Sequence, residues 1–350
     1  MRNKLICAAM AVALLLSCIL FPSCAKKTEK FSEYSFEYFD TVTTVTGYAE
    51  SKEEFDGVAA EILRQLGEYH RLFTIYHRFE GLENLCTVNE LVDGAHRTVT
   101  VDARIIEMLC YAKEMYALTG GRVNIAMGSV LSVWHDYRED GMDDPSAAEL
   151  PPMDVLAEEA KHTNIENLII DEAASTVTIT DPQMKLDVGA IAKGYAVEMV
   201  AREMERKGIT GYILNVGGNV RAVGQKPDGT SWTAGLENPE ETSEYLAYLA
   251  LSDEALVTSG SYQRYYLVDG KRYHHIIHPA TLMPAEGYLS VSILSPHSGM
   301  GDALSTALFC MPLEEGKALI ASLPDTEAHW VLSDGTRHAT EGWASYVVEM

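Results

Sequence analysis

The sequence predicts an α+β protein, because helical and strand-like segments follow one another without a regular β-α-β order. Apolar residues recur with helical spacing in a few separate stretches, and short alternating runs lie between them. Hydrophobic residues make up 47% of the 350 residues and charged residues 22%, which is typical of a packed globular protein. The length suits one large domain or two ordinary ones.

Helical spacing predicts helices at five places along the chain. They cover residues 55–73, 102–118, the segment that follows Asp187, 302–311 and 314–323. Strands are predicted over residues 39–48, 168–170, 176–180 and 289–294. Asp-Gly pairs at 228–229 and 269–270 predict two hairpin turns. Residues 138–152 are acidic and contain proline, so we expect an irregular excursion on the surface there.

The charge of the chain limits its possible partners. It has 27 Lys and Arg residues against 51 Asp and Glu residues, which gives a net charge of −24 at neutral pH. Binding to a phosphate backbone needs a basic face, so we expect no nucleic-acid partner. A local basic pocket for a phosphorylated small molecule is compatible with this charge.

The N-terminus has the pattern of a targeting segment. Arg2 and Lys4 precede an uncharged, largely apolar run over residues 5–22, which predicts a secretory signal. An uncleaved membrane helix is the alternative, since about 18 apolar residues can just span a bilayer.

Two cysteines favour the signal of a lipoprotein. Cys18 and Cys24 each follow a serine in a segment similar to the bacterial lipobox. Lipidation of Cys24 leaves a polar segment behind the lipid, so we predict a signal peptide over residues 1–23 and a tether over residues 24–34. Cys18 is the alternative lipidation site. More than one acyl chain would anchor the protein stably to the extracytoplasmic side of a membrane.

Two helical segments carry candidate ligands for a phosphate group and a metal ion. Lys193 lies early in the helix that follows Asp187, where the positive helix end favours a phosphate. The alternative is a helix capped by Asp187 with a solvated lysine. Asp302 and Thr306 share one helical face and offer the hard oxygen ligands that suit Mg²⁺. An N-cap aspartate with a threonine bonded back to the helix is the alternative.

Three histidines lie close together near residues 273–281. Alternation along an extended segment places His274 and His278 on one face and His275 on the other, so one ion cannot easily bind all three. A solvated histidine cluster is the alternative. Two shorter segments complete the set, the Gly-Gly pair in residues 214–219 and the polar stretch 258–264.

Together these five segments resemble the ApbE family, the FAD:protein FMN transferases. The family patterns are D-x-G-x-x-A-K-G-Y, N-x-G-G, T-S-G-x-Y-x-R, H-I-x-D-P-x-T and D-A-x-x-T. They correspond, in the same order, to residues 187–195, 215–218, 258–264, 275–281 and 302–306. The resemblance extends over nearly all of the mature chain.

The resemblance implies a T-fold-like domain of mixed sheets with packed helices over residues 35–350. It implies Mg²⁺-dependent transfer of FMN from the substrate FAD to a Ser or Thr hydroxyl of an acceptor protein, with release of AMP. The acceptor would belong to a membrane electron-transfer complex. The implied Mg²⁺ ligands are the Ala190 carbonyl, Asp302 and Thr306, and His275 is the implied general base, a role suited to a histidine that titrates near neutrality. The implied FAD contacts are Phe39, Tyr76, Arg122, Val123, Asn124, Asp187, Lys193 and Ile276.

This chain departs from the family pattern at three places. Asn124 stands where the family usually has Asp, and Leu282 stands where it usually has Gly. His278 replaces the Asp before the proline, which leaves open which histidine is the base. Two other functions also stay open at this point, a Mg²⁺-dependent FAD pyrophosphatase that releases FMN and AMP, and a non-enzymatic flavin-binding lipoprotein.

Overall fold

A computed structural model describes residues 27–92, 94–240 and 245–349. The predicted signal peptide and Cys24 lie outside these residues. None of the described helices combines the length and the apolar character needed to cross a membrane. The described helices are α1 (Lys52–Phe73), α2 (Leu85–Val88), α3 (Ala103–Leu118), α4 (Gly128–Asp143), α5 (Met153–Glu159), α6 (Ala192–Arg206), α7 (Ser298–Phe309) and α8 (Leu313–Ala321).

The strands are short and numerous. They are β1 (Glu29–Ser35), β2 (Thr43–Ala49), β3 (Leu91–Val92), β4 (Ala95–His96), β5 (Val99–Thr100), β6 (Leu168–Asp171), β7 (Thr176–Ile179), β8 (Tyr212–Val216), β9 (Asn219–Val223), β10 (Trp232–Glu237), β11 (Tyr245–Leu251), β12 (Ala255–Gly260), β13 (Tyr265–Val268), β14 (Lys271–His274), β15 (Tyr288–Ser295), β16 (Glu327–Leu332), β17 (Arg337–Ala339) and β18 (Val347–Val348).

One large sheet organises the molecule. Its order is β1-β2-β8-β9-β12-β15-β16-β17, and every neighbouring pair is antiparallel. Smaller sheets join β10-β11-β18, β5-β7-β6, β13-β14 and β3-β4. This arrangement confirms the predicted α+β class.

Helices α6 and α7 pack on the middle of the large sheet and against each other. Helix α6 contacts β9, α7 contacts β12 and β15, and α1 packs on both α6 and β2. The crossing of α6 and α7 is tight at Gly194, where an added Cβ would lie 2.5 Å from the Asp302 Cβ and 2.6 Å from the Ser298 carbonyl oxygen. Because protein interiors are close-packed, only glycine fits at this point.

Most predicted elements are confirmed. Helix α1 covers residues 55–73 and begins a turn earlier, behind the N-cap Ser51. Asp102 caps α3 as predicted, since its Oδ1 accepts the backbone N–H of Arg104 at 2.9 Å. Strands β6 and β7 pair as predicted, and Asp269-Gly270 forms the turn of the β13–β14 hairpin with φ of 51° and 79°.

The N-terminal predictions need two corrections. Residues 29–34, which we placed in a tether, form most of β1 and pair with β2 in the large sheet. Strand β2 starts at Thr43 instead of Phe39. Phe39 and Asp40 have φ of 56° and 50°, a left-handed conformation that a strand cannot contain.

Two predictions in the middle of the chain are wrong. The expected surface excursion over residues 138–152 begins inside α4, which continues to Asp143. Asp228-Gly229 does form a tight turn, with the N–H of Gly229 donating to the Lys226 carbonyl at 2.9 Å. This turn joins β9 to β10, which belong to different sheets and form no hairpin.

Replacing two helical glycines by alanine should change the free energy of unfolding in opposite directions. Gly194→Ala should lower it by about 1–3 kcal/mol, because the methyl group overpacks the crossing with α7. Gly57→Ala should raise it by about 0.5–1 kcal/mol, because Gly57 lies inside α1 with open space around an added Cβ. Urea unfolding measures both changes. Equal stability of the two variants would contradict the described packing of α6 on α7.

Candidate active site

Asp302 connects the two central helices. It lies in the second turn of α7 and is 5% exposed. Its Oδ2 accepts the backbone N–H of Gly194 at 2.7 Å, and its Oδ1 accepts the Lys193 ammonium at 3.3 Å. Both donors lie in the first turn of α6, which has no side-chain cap of its own. Asp302 therefore lies at the positive end of α6. The alternative prediction, that Asp302 caps its own helix, is wrong, because the N-cap of α7 is His297.

Asp187 also has a different place from the one predicted. It precedes the N-cap residue of α6 by four positions, and its Oδ1 accepts the N–H of Gly189 at 2.8 Å within the preceding turn. Burial raises the pKa of Asp187, while this N–H and the charges of His135, Arg138 and Arg264 oppose the shift. The carboxyl group therefore lies among cations that favour its ionised form.

Three hydroxyl groups lie together one turn beyond Asp302, where α7 faces β12. Thr306 follows one turn later on α7, and its Oγ1 lies 3.5 Å from the Ser259 Oγ of β12. Ser259 in turn lies 2.8 Å from the Ser305 Oγ. Asp302 and Thr306, two of the predicted metal ligands, lie one turn apart on α7, and Ala190 lies in the half-buried turn just before α6.

These ligands fit Mg²⁺ better than zinc. Within the described ranges, no three His, Cys, Asp or Glu side chains converge in a way that could hold a metal ion. The donors at Asp302 are one carboxylate and neutral oxygens. Mg²⁺ is commonly held in this way, by one or two carboxylates with waters and substrate phosphates completing its octahedron.

His275 lies next to the arginines that face Asp187. It is half-buried, and its Nδ1 lies 3.2 Å from the Arg264 carbonyl oxygen. A carbonyl can only accept, so Nδ1 carries the proton and Nε2 keeps a free lone pair. The pKa of His275 is lowered to about 4, mainly by burial. The hydrogen bond to the Arg264 carbonyl opposes this shift, and the charges of Arg264, His274 and Arg138 add to it. Our expectation of titration near neutrality is therefore wrong for the ligand-free protein.

The other two histidines have different surroundings. His274 is buried, and its two ring nitrogens pair with the Ala285 carbonyl at 2.8 Å and the Ile276 N–H at 3.2 Å. His278 accepts the Ala280 N–H on Nδ1 at 3.1 Å and lines a separate cavity of about 410 Å³. Strand β14 ends at His274, so the predicted alternation does not continue through the cluster. The three histidines therefore have different hydrogen-bond partners.

The Phe39 loop lies beside the same cations. The Phe39 N–H donates to the His70 Nδ1 at 3.2 Å, and the Asp40 carbonyl accepts the Arg264 Nη2 at 3.3 Å. Tyr76 is 54% exposed, and its ring centroid lies 5.5 Å from that of His135. Burial of its hydroxyl raises the pKa of Tyr76, as does the charge of Asp187. The predicted contacts at Phe39, Tyr76 and Asp187 therefore share one region with His275.

Four of the predicted flavin contacts are either buried in the core or already bonded to other residues of the protein. Val123 and Ile276 are 2% and 4% exposed and belong to the core. The Asn124 amide accepts the Ala126 N–H at 2.9 Å and donates to the Thr163 carbonyl at 2.8 Å. Arg122 donates to Glu315 at 3.3 Å and acts electrostatically on His278. A flavin contact at these positions stays a prediction.

Sequence reasoning missed a histidine–arginine pair near Asp187. His135 and Arg138 lie on α4, 2.8 Å apart between Nδ1 and Nη2, and Arg138 is 15% exposed. Because residues 138–152 are acidic and contain proline, we predicted an irregular segment where the helix in fact continues to Asp143. Val130 and Trp134 are buried at helical spacing, and continuing that spacing by one turn would have placed both side chains on a helix. Arg264 was inside a recognised segment but had no assigned role.

Comparison with known proteins identifies the family of this chain. The model of the ApbE family matches residues 39–330. An FAD:protein FMN transferase of Klebsiella pneumoniae (strain 342) is 31% identical over 271 residues, which cover 75% of this chain and 81% of that protein. One of Treponema pallidum (strain Nichols) is 31% identical over 70% of each chain. The crystal structure of the ApbE protein of Thermotoga maritima MSB8 is similar with a TM-score of 0.78 and 26% identity, covering 92% of this chain and all of that one. The chain belongs to the ApbE family.

Proposed function

We propose that this protein transfers FMN from FAD to a serine or threonine hydroxyl of an acceptor protein and releases AMP. The observation that carries the proposal is the Asp302 carboxylate, held at the positive start of α6 beside Lys193 and Thr306. A negatively charged pyrophosphate is favoured at such a helix end. Relatives that span most of this chain are named FAD:protein FMN transferases.

We assign a Mg²⁺ ion to Asp302, Thr306 and the Ala190 carbonyl. When bound, the ion would neutralise charge on the pyrophosphate and on the leaving AMP. Lys193 now neutralises Asp302 and is 22% exposed at its side chain. A cation on the carboxylate would replace this pairing, and the Lys193 ammonium group would then be available to bind a phosphate oxygen.

His275 is the general base of this proposal. Its free Nε2 accepts the proton of the acceptor hydroxyl, whose oxygen forms a bond to the FMN-side phosphorus. The bond from that phosphorus to the bridging oxygen breaks, and AMP leaves. Arg264 and Arg138 place positive charge next to His275 and Asp187, where they offset the charge of the phosphates.

A lipid anchor at Cys24 would hold the domain close to the membrane. Five positions separate Cys24 from Glu29, the first residue of β1, which limits the span to roughly 18 Å at about 3.6 Å per residue. We therefore propose an extracytoplasmic acceptor in a membrane electron-transfer complex, with its hydroxyl near the bilayer surface. The basic and apolar N-terminal residues and the serine before Cys24 support this location.

Asp302→Asn should abolish the transfer while the protein stays folded. The amide keeps the size of the carboxylate and can still accept the Gly194 N–H, but it loses the charge that holds the cation. Without the bound cation the transition state loses several kcal/mol of charge stabilisation, so the rate of FMN transfer should fall at least about 10²-fold. Chromatography of AMP and mass spectrometry of the acceptor measure the rate, with Asp334→Asn in an exposed turn as the control. Full activity of Asp302→Asn would remove the metal assignment.

His275→Ala should slow the transfer by about 10²–10⁴-fold, the usual contribution of a general base. The affinity for FAD should stay nearly constant, because the base acts on the acceptor hydroxyl. His278→Ala is the matched control, since His278 lines a different cavity. Single-turnover labelling of one acceptor at saturating FAD compares the two variants. If His278→Ala is the slower one, the base has been misassigned.

The pKa of His275 should depend on the bound ligand. In the ligand-free protein it should be about 4, so the imidazole is neutral and able to accept a proton at all higher pH values. Adding ADP, which carries a pyrophosphate, should raise it, because negative charge favours the imidazolium. Histidine-selective NMR titration measures both states. A ligand-free pKa near the ordinary value of about 6.5 would contradict the described surroundings.

A further inference from the structure

Three buried polar residues lie beneath the N-terminal turn of α7. We call Glu198, Asn219 and Ser298 the α7 anchor, and none of them is more than 1% exposed. The Ser298 N–H donates to the Glu198 Oε2 at 2.8 Å, and the Ser298 hydroxyl donates to the Asn219 Oδ1. Glu198 belongs to α6 and Asn219 begins β9. The first residue of α7 is therefore tied to a helix and to a strand of the large sheet.

The anchor keeps a full charge inside the protein. Burial opposes ionisation of Glu198, but Arg221, His297, the Ser298 N–H and Arg202 together outweigh it and keep the pKa of Glu198 below its ordinary value. The Arg221 Nε lies 3.2 Å from the Glu198 carboxylate. A buried ion pair of this kind contributes little to stability compared with apolar residues of the same volume. Its presence at this point therefore suggests a function other than stability.

The anchor lies next to the site. Asp302 and Thr306 follow Ser298 on α7 by about one and two helical turns. The Asn219 Nδ2 is buried, has no hydrogen-bond partner among the described residues and would lie 2.9 Å from a Cβ added to Gly194. Gly194 is the residue whose N–H Asp302 accepts. A shift of the first turn of α7 would therefore move the Asp302 carboxylate away from the start of α6.

We propose that Glu198 and Asn219 are positioning residues of the Asp302 site. They fix the first turn of α7, and thereby hold Asp302 and Thr306 against the start of α6. This inference rests on the proposed function only where it assumes that a divalent cation binds at Asp302. Neither residue needs to touch FAD or the acceptor.

The test removes the anchor without leaving a buried charge behind. The double variant E198L/R221M replaces the ion pair by apolar residues of similar volume, which usually preserves stability. It leaves the Ser298 N–H without its acceptor. Glu198→Gln keeps an oxygen acceptor for this N–H and should keep the wild-type Mn²⁺ affinity and exchange in α7, while loss of the charge opposite Arg221 lowers its stability. Glu205→Gln is the control, because Glu205 pairs with Arg221 at 2.9 Å and forms no hydrogen bond with α7 in the described part of the chain.

Two measurements test whether the first turn of α7 is still held in place. Titration with Mn²⁺ alone, followed by calorimetry, should show about 10- to 100-fold weaker binding to E198L/R221M, the usual effect of removing a group that orients a ligand. Amide hydrogen exchange of the metal-free protein should be faster in the first turn of α7 and unchanged in α1. Thermal unfolding confirms that the variant is folded.

A folded E198L/R221M with wild-type Mn²⁺ affinity and wild-type exchange in α7 would overturn the inference. If the wild type itself binds no Mn²⁺, the metal assignment of the proposed function fails. The α7 anchor is then tested only by comparing amide hydrogen exchange in α7 between the variant and the wild type. If the double variant does not fold, Ser298→Ala takes its place, since it removes only the hydroxyl link to Asn219. Faster exchange in that variant supports the anchor, and unchanged exchange overturns it.

Discussion

The hydrogen bond between the Asp302 carboxylate and the Gly194 N–H is the interaction on which the rest of the site depends. It satisfies a backbone donor at the start of α6, a group that helix geometry leaves without an internal partner. It requires a glycine, because any Cβ at that position would overlap α7. It also places a carboxylate where a helix end and Lys193 supply positive charge. One side chain therefore joins two helices and supplies the strongest oxygen ligand of the proposed metal site.

The local charge of the site is opposite in sign to the net charge of the chain. The chain carries a net charge of −24, yet Lys193, Arg138 and Arg264 gather with the positive end of α6 on one side of the molecule. Burial strengthens these charges, because fewer water molecules screen them. The low pKa of His275 follows mainly from burial of the imidazole itself, with a smaller contribution from the Arg264 and Arg138 charges. A pyrophosphate entering this region would compensate the positive charge and bring His275 closer to a working pKa.

Much of the fold could be predicted from the sequence. Helical spacing identified α1 and α3 because their apolar faces repeat over several turns. The partner of Asp302 could not be predicted, since Gly194 lies 108 residues away and the contact depends on how α6 crosses α7. Strand β1 was missed because its residues are largely polar and gain a partner only at the edge of the sheet.

The histidines show the limit of motif matching. Spacing alone assigned His275 and His278 to opposite faces of one strand, but the strand ends before both. Their roles differ through contacts with distant residues, the Arg264 carbonyl for His275 and the cavity beside Cys310 for His278. Such contacts leave no local signal in the sequence.

The central claim is that the site passes FMN to a protein and not to water. The most direct measurement counts AMP and modified acceptor in one reaction that contains the full chain, FAD, Mg²⁺ and a candidate acceptor domain. Our account predicts one AMP released for each acceptor that gains an FMN phosphoester, and little AMP without the acceptor. AMP release at the same rate without an acceptor would identify a pyrophosphatase instead, and bound FAD without any AMP would identify a flavin-binding protein.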